Sequence, residues 1–304
     1  MTNTSPKLIV IAGPTAIGKT AISIKLAQQL KAEIFSADSR QFFRELTIGT
    51  AKPEKEELSL IKHHFINNKS IQELYSAGEF EKDVVDKLTN YYNNNNIALL
   101  VGGSGMYINA VCNGLDEMPR NLLIRNTLND KYQKNGITPL QKELLKLDPV
   151  QYNKMDINNP QRVIRALEIC RITKKPFSSL QQNKSKKRNF TIKKFFLYTE
   201  KESLHQRIDS RVDSMVECGL FEEVKMLKEH QHLNALNTVG YKEVFQYYNG
   251  NISKDIAIAQ IKSNTKKYAK RQITWFKKDK NYNWINNTNS NNALKEIIKG
   301  AQNT

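Results

Sequence analysis

Gly13-Pro14-Thr15-Ala16-Ile17-Gly18-Lys19-Thr20 lies between an apolar run, Leu8-Ile9-Val10-Ile11-Ala12, and the helical pattern Ala21-Ile22-Ser23-Ile24-Lys25-Leu26-Ala27. Strand, glycine-bearing loop and helix in that order, with G-x-x-x-x-G-K-[ST] spacing, predict a phosphate-binding loop over 13–20. Backbone N–H groups at a helix N-terminus hold phosphate oxygens, and the Lys19 ammonium adds a point charge. The Thr20 hydroxyl is a candidate Mg2+ ligand. A tight strand-to-helix turn alone would not call for Lys19 followed by Thr20. The loop announces a diphosphate or triphosphate and leaves the reaction open, since kinases, NTP hydrolases and group transferases share it.

Two further apolar runs end in polar loops. Ala32-Glu33-Ile34-Phe35-Ser36-Ala37 leads into Asp38-Ser39-Arg40-Gln41, and Ile97-Ala98-Leu99-Leu100-Val101 leads into Gly102-Gly103-Ser104-Gly105. Near-continuous apolar runs of this length read as buried strands of a parallel sheet. A helical segment is expected between them over 79–92, with Ser76 as its cap. Alternating strands and helices predict an α/β fold: a parallel-sheet core like that of phosphate-loop NTPases, flanked by helices. Ligands of such sheets bind beyond the carboxyl ends of the strands. The loops at 13–20, 38–41 and 102–105 should therefore converge on one cleft.

From 116 to 189 the pattern changes to helices, expected over 122–133, 139–147 and 160–172, and closes on Lys184-Ser185-Lys186-Lys187-Arg188. The expectation is a helical insertion domain at 116–189 within a core formed by 1–115 and 190–304. The run 192–198 returns as a strand, and helices are expected over 203–216, 221–230, 241–248 and 253–278. The Asn-rich tail after Trp284 offers little to read.

With 304 residues and 39% hydrophobic content the chain can bury a sizeable core. Nothing approaches the ~20 consecutive apolar residues of a membrane span. The polar start suggests no signal peptide. Cys112, Cys170 and Cys218 are far apart, without metal-ligand spacing or a disulfide framework. A cytoplasmic protein without a membrane partner is expected. The formal charge of +17 points to a polyanionic partner. Lysine enrichment alongside the Asn93–Asn96 run also fits compositional drift, so the position of the charges matters more than their sum.

Asp38 is the best-placed carboxylate of the expected cleft, a general base or an outer-shell partner of Mg2+. The strand ending in Gly-Gly-Ser-Gly supplies no second acid of the kind that holds Mg2+ in nucleotide hydrolases. Ser104 places a hydroxyl beside any bound phosphate or acceptor. Arg162 and Arg165, three apart on one helical face, combine with Arg125 and the 184–188 cluster into a candidate nucleic-acid clamp. Arg207 and Arg211 could reach a diphosphate or could pair with Asp209 and Asp213. Lys262, Lys266, Lys267, Lys270, Arg271, Lys277, Lys278 and Lys280, interleaved with Tyr268, Trp275 and Phe276, suit a phosphate backbone. His63-His64 on a strand would point to opposite faces, which argues against a metal site.

In order along the chain, the phosphate loop is followed by Ala-Asp-Ser-Arg-Gln, Ile48-Gly49-Thr50-Ala51-Lys52-Pro53, Leu-Val-Gly-Gly-Ser-Gly-Met-Tyr and Asn159-Pro160-Gln161-Arg162-Val163-Ile164-Arg165-Ala166-Leu167-Glu168. Val239-Gly240-Tyr241-Lys242-Glu243 and Lys270-Arg271-Gln272-Ile273-Thr274-Trp275 come next. Together, over about 7–285, these motifs resemble the bacterial tRNA dimethylallyltransferase (tRNA isopentenyltransferase) family. Ser104 stands where that family more usually has Thr, and the cysteines offer no counterpart to the zinc finger of eukaryotic relatives. The resemblance implies transfer of a dimethylallyl group from dimethylallyl diphosphate to the exocyclic N6 amine of the adenosine adjacent to the anticodon, with tRNA bound through its anticodon stem-loop.

By matching positions, the loop from Thr15 to Thr20 would hold the diphosphate. Asp38, Ser39, Arg40, Gln41, Ser104, Arg125, Gln161, Arg162, Val163, Ile164 and Arg165 would lie against tRNA or the acceptor base. Asp38, Lys19 and Ser104 become the expected catalytic residues, Mg2+ on Thr20 the expected cofactor, and a monomer the expected state. The residue chemistry agrees: a weakly nucleophilic aromatic amine gains from a carboxylate that accepts its proton, and a leaving diphosphate gains from Lys19 and the loop N–H groups. Two rivals are a phosphate-loop small-molecule kinase and a non-catalytic RNA-binding protein.

Overall fold

The computed structural model describes residues 5–182 and 184–302, so the first four residues of the polar start lie outside it. Six strands form one parallel sheet: β1 Lys7–Ala12, β2 Glu33–Ser36, β3 His63–His64, β4 Ile97–Gly102, β5 Thr191–Tyr198 and β6 Tyr282–Asn286. Their spatial order is β3-β2-β4-β1-β5-β6. The helices in chain order are α1 Lys19–Leu30, α2 Lys55–Leu60, α3 Ala77–Tyr91, α4 Gly105–Asn113, α5 Leu122–Asn135, α6 Thr138–Leu147 and α7 Pro149–Lys154. They continue with α8 Pro160–Thr173, α9 Phe177–Leu180, α10 Lys201–Glu217, α11 Leu220–Met226, α12 Tyr241–Tyr248, α13 Lys254–Phe276 and α14 Ser290–Gln302.

β1 lies between β4 and β5, paired in register from Lys7↔Ile97 to Ala12↔Gly102 and from Lys7↔Thr191 to Ala12↔Phe196. A strand covered on both faces cannot alternate polar with apolar side chains. Accordingly, Leu8 through Ala12 are all fully buried, dividing between two apolar clusters on opposite faces of the sheet. α3 starts where Ser76 accepts a hydrogen bond from the Glu79 N–H while Glu79 accepts from the Ser76 N–H, a reciprocal cap.

Contacts divide the chain into two units: Met1–Cys112 with Lys187–Thr304, and Asn113–Lys186. The second unit is helical among its described residues and has its own core, in which Leu128, Leu140, Leu144, Val163, Ile164, Ala166 and Leu167 are buried. Side-chain caps start three of its helices, α5, α7 and α8. Asp148 and Asn159 accept from the third residue onward, and each is followed by a proline at the first helical position.

The tail carries more than its asparagine content suggests. β6 extends the sheet beyond β5, and α14 buries Ala293, Leu294, Ile297 and Ala301 against the face of the sheet that carries α1. The two histidines form β3: His63 bonds the Ile61 carbonyl and His64 bonds Glu33. No cluster of metal-ligating side chains occurs among the described residues, nor does any helix there have the length and apolarity to cross a membrane.

Candidate active site

The phosphate loop leaves β1 through two left-handed residues, Ala16 at φ 63° and Gly18 at φ 93°. Gly18 caps α1 with no side-chain hydrogen bond, and the first turn of α1 holds no acidic residue. The helix therefore presents unsatisfied N–H groups and the positive end of its dipole, the arrangement that binds anions. Lys19 Nζ folds back to donate to the carbonyls of Gly13 (3.0 Å) and Pro14 (2.8 Å). Burial, aided by the charge of Arg211 and opposed by Asp38, lowers the Lys19 pKa to about 7.

Three struts fix this loop, and none was legible in the motif itself. Gln272 of α13 accepts from the Thr15 N–H at 2.9 Å and donates to the Gly103 carbonyl at 2.9 Å. Asn287, just past β6, donates to the Ile17 carbonyl at 2.7 Å. Arg207 of α10 reaches the Ile17 and Asn287 carbonyls, each at 3.4 Å.

Across the cavity, Asp38 follows β2 and accepts from the Arg40 N–H at 2.9 Å, closing a local turn. The Ser39 N–H donates to Ser104 Oγ at 3.0 Å, joining the ends of β2 and β4. At Gly102 an added Cβ would lie 2.2 Å from the Ala37 carbonyl oxygen, so only glycine permits this approach of the two loops. Gln41 works inside the scaffold. Its amide donates to the Thr50 and Ala51 carbonyls and accepts from Ser36. The 48–50 turn is held in turn by Glu223, which accepts N–H bonds from Thr47, Ile48 and Gly49 and the hydroxyl of buried Tyr241.

These elements enclose a cavity of about 320 Å3 whose lining includes Thr15, Asp38, Arg40, Arg211, Tyr268 and Arg271. Among the described residues neither the Arg40 nor the Arg211 guanidinium has a hydrogen bond or ion pair. Burial lowers the pKa of both, and Asp38 opposes that shift in each case. Burial and the Asp38 charge push the Tyr268 phenol up to about 12, so it stays a hydrogen-bond donor. The aspartates that could have neutralised the α10 arginines are engaged elsewhere: Asp209 with Lys266 (2.7 Å) and Asp213 with Lys262 (2.6 Å). Arg211 is thereby left to the cavity.

The helical unit tells a different story. Arg125 and Arg165 both bind Glu168, which is fully buried, at 2.5 and 2.8 Å. Arg165 also donates to the Pro119 and Met118 carbonyls, and the Asn121 N–H donates to Glu168. Val163 and Ile164 lie in the core of this unit, so apolar packing takes their side chains away from the RNA surface expected of them. Gln161 and Arg162 are exposed.

The IPP transferase family pattern matches residues 41–279. The chain belongs to the IPP transferase family. It is 48% identical to the tRNA dimethylallyltransferase of Christiangramia forsetii over 298 residues, 98% of this chain and 99% of that one. It is 45% identical to the tRNA dimethylallyltransferase of Flavobacterium johnsoniae, covering 97% and 98% of the two chains. Among solved structures, the full-length tRNA isopentenylpyrophosphate transferase of Bacillus halodurans superposes with TM-score 0.70 at 34% identity, covering 97% of each chain. A eukaryotic dimethylallyltransferase captured acting on tRNA superposes with TM-score 0.79 at 28% identity, over 97% of this chain and 78% of that one. The family resemblance read from the ordered motifs and the parallel α/β core are both borne out.

Proposed function

We propose that this IPP transferase family chain moves a dimethylallyl group from dimethylallyl diphosphate to the N6 amine of an adenosine beside the anticodon of tRNA, as a monomeric cytoplasmic enzyme. One observation carries the reading: Asp38, Thr15 at the start of the phosphate loop and the cationic Arg40 and Arg211 line the same cavity. The amine's lone pair is delocalised into the purine ring. A carboxylate accepting its proton during attack is worth ~10²–10⁴-fold, and Asp38 takes that role. Negative charge gathers on the departing diphosphate, where Lys19, Arg211 and the N–H groups opening α1 stabilise it. Ser104 holds the Asp38 loop by accepting from Ser39, and this orients the base.

The donor set suits Mg2+ held by the Thr20 hydroxyl together with diphosphate oxygens, since this hard cation uses few protein ligands beside a bound phosphate group. When bound it would offset leaving-group charge.

The target base must leave its stack, at a cost of a few kcal/mol that is smaller in a loop than in a duplex. The exposed face of α13 offers compensating contacts. Lys267, Lys270, Arg271, Thr274, Trp275 and Lys278 line a surface recess of about 380 Å3, and Arg271 also lines the Asp38 cavity. The lysines of this recess have no acidic partner among the described residues, whereas Lys262 and Lys266 on the same helix do. Trp275 is 43% exposed beside them. Of the motif residues in the helical unit, Gln161 and Arg162 are exposed and available to a tRNA clamp, with Arg125 and Arg165 acting on RNA through the shape they give that unit.

Purified protein mixed with Mg2+, dimethylallyl diphosphate and unmodified tRNA should add the prenyl mass to one adenosine, read by mass spectrometry of the digested nucleosides. Absence of that adduct, with ATP consumed on a small molecule instead, would replace the reading with a kinase.

A further inference from the structure

Gln272 is 7% exposed, and its two amide atoms serve two different loops. Oε1 takes the Thr15 N–H, where the phosphate loop begins its turn, and Nε2 gives to Gly103, the residue before Ser104. Ser104 in turn accepts from Ser39, next to Asp38. A hydrogen-bonded path thus runs from the anion-binding loop through one side chain to the Asp38 loop. The fit is tight. A Cβ at position 103 would sit 2.2 Å from Gln272 Nε2 and 3.2 Å from the Gly13 carbonyl oxygen. Only a side-chain amide of this length supplies a donor and an acceptor on one rigid plane, 2.9 Å from each loop. Two turns of α13 carry Tyr268, Gln272 and Trp275 at helical spacing, so the strut stands on a rigid element beside two residues of the cavity and recess.

We infer that Gln272 is a positioning residue that sets the distance and orientation of the diphosphate cradle relative to the Asp38–Ser104 side. This deepens the transferase reading and rests on it. Alignment of the departing diphosphate with the incoming amine depends on both loops, and small misplacements in such a site cost large factors in rate. Binding of tRNA, dominated by phosphate contacts over a wide surface, depends little on this strut.

The test uses the full chain, inorganic pyrophosphate as the cradle probe, and unmodified tRNA. Gln272→Met keeps the volume and removes both hydrogen bonds. It should weaken pyrophosphate binding by at least about tenfold and lower kcat, with tRNA affinity within about twofold of the parent protein. Unchanged pyrophosphate affinity, or equal losses for pyrophosphate and tRNA, would overturn the inference.

Gln272→Glu decides the matter if the Met variant does not fold. Its protonated carboxyl restores a donor toward Gly103, whereas its ionised form sets an anion against that carbonyl and the bound pyrophosphate. An ordinary glutamate is ionised at pH 7, so this variant should bind pyrophosphate at least about tenfold more weakly than the parent there, with tRNA affinity within about twofold; unchanged pyrophosphate affinity overturns the role. Pyrophosphate binding stands apart from transfer, so a parent protein that binds pyrophosphate without prenylating tRNA would sink the transferase reading and leave the strut testable.

Discussion

Two sets of arginines, one in each unit, show how differently the same side chain is used. Arg125 and Arg165 close on Glu168, a fully buried carboxylate, and Arg165 adds two backbone carbonyls. Arg40 and Arg211 line a cavity with Asp38, whose charge acts on both, and have no direct partner among the described residues. The first arrangement is complete and lends the helical unit its shape. The second leaves positive charge unspent in a partly dry site, which favours the apo protein little and an incoming anion greatly.

Replacing Asp38 with Ala tests the cavity side most severely. Transfer should fall at least about a hundredfold, the lower range of general-base catalysis, while tRNA affinity changes far less. Equal losses in single-turnover rate and in tRNA binding would move Asp38 from chemistry to recognition.

Arg211→Ala and Arg165→Ala should separate the two arginine sets directly. The Arg211 variant should bind pyrophosphate at least about tenfold more weakly with an unchanged or raised Tm, because an unpaired half-buried guanidinium is a burden on the empty protein. The Arg165 variant should lose roughly 1–3 kcal/mol of stability, the cost of an under-satisfied buried acceptor, with near-normal kcat in the folded fraction. Denaturant titration and calorimetry on both proteins check this. A reversed pattern would erase the distinction.

The depressed Lys19 pKa predicts a proton signature. Between about pH 7 and the ordinary lysine pKa of 10.5 the unfolded chain binds the proton that the native loop has released. Stability of the empty protein therefore rises with pH across that window. Pyrophosphate favours the ammonium form, so binding should take up a proton near pH 8, and affinity should fall as pH increases above 7. Calorimetry in buffers of different ionisation enthalpy measures that uptake; none at pH 8 would mean that Lys19 is already charged.

The smallest effect belongs to exposed Arg162. Its replacement by Ala should reduce the salt slope of tRNA binding by about one and leave Tm unmoved. An unaltered slope would take it off the RNA path.

Much of this architecture was written locally. β1 and β4 are near-continuous apolar runs and β5 carries one over Phe195–Leu197, because both faces of the sheet are covered, and the phosphate loop announces itself by spacing. Ser76, Asp148 and Asn159 mark helix starts through short-range chemistry. β6 escaped because only Tyr282 and Ile285 of its five residues are buried, so an edge strand reads as asparagine-rich coil. The same blind spot hid Asn287, whose bond to Ile17 spans 270 positions. The fate of Arg207 and Arg211 was undecidable from spacing. It turned on α13 supplying Lys262 and Lys266 to the neighbouring aspartates. Val163 and Ile164 sat inside a matching motif, yet in this chain their side chains serve packing. Sequence displays near neighbours well and hides competition among distant partners.

The missing β-carbon at Gly103 has a consequence beyond this molecule. The Gln272 amide fills the space that a larger residue at 103 would claim, so two sites 169 positions apart compete for a single volume. Relatives that carry alanine or serine at the first position should have shortened or replaced the glutamine at the second. Such paired exchanges would be an evolutionary trace of the clasp.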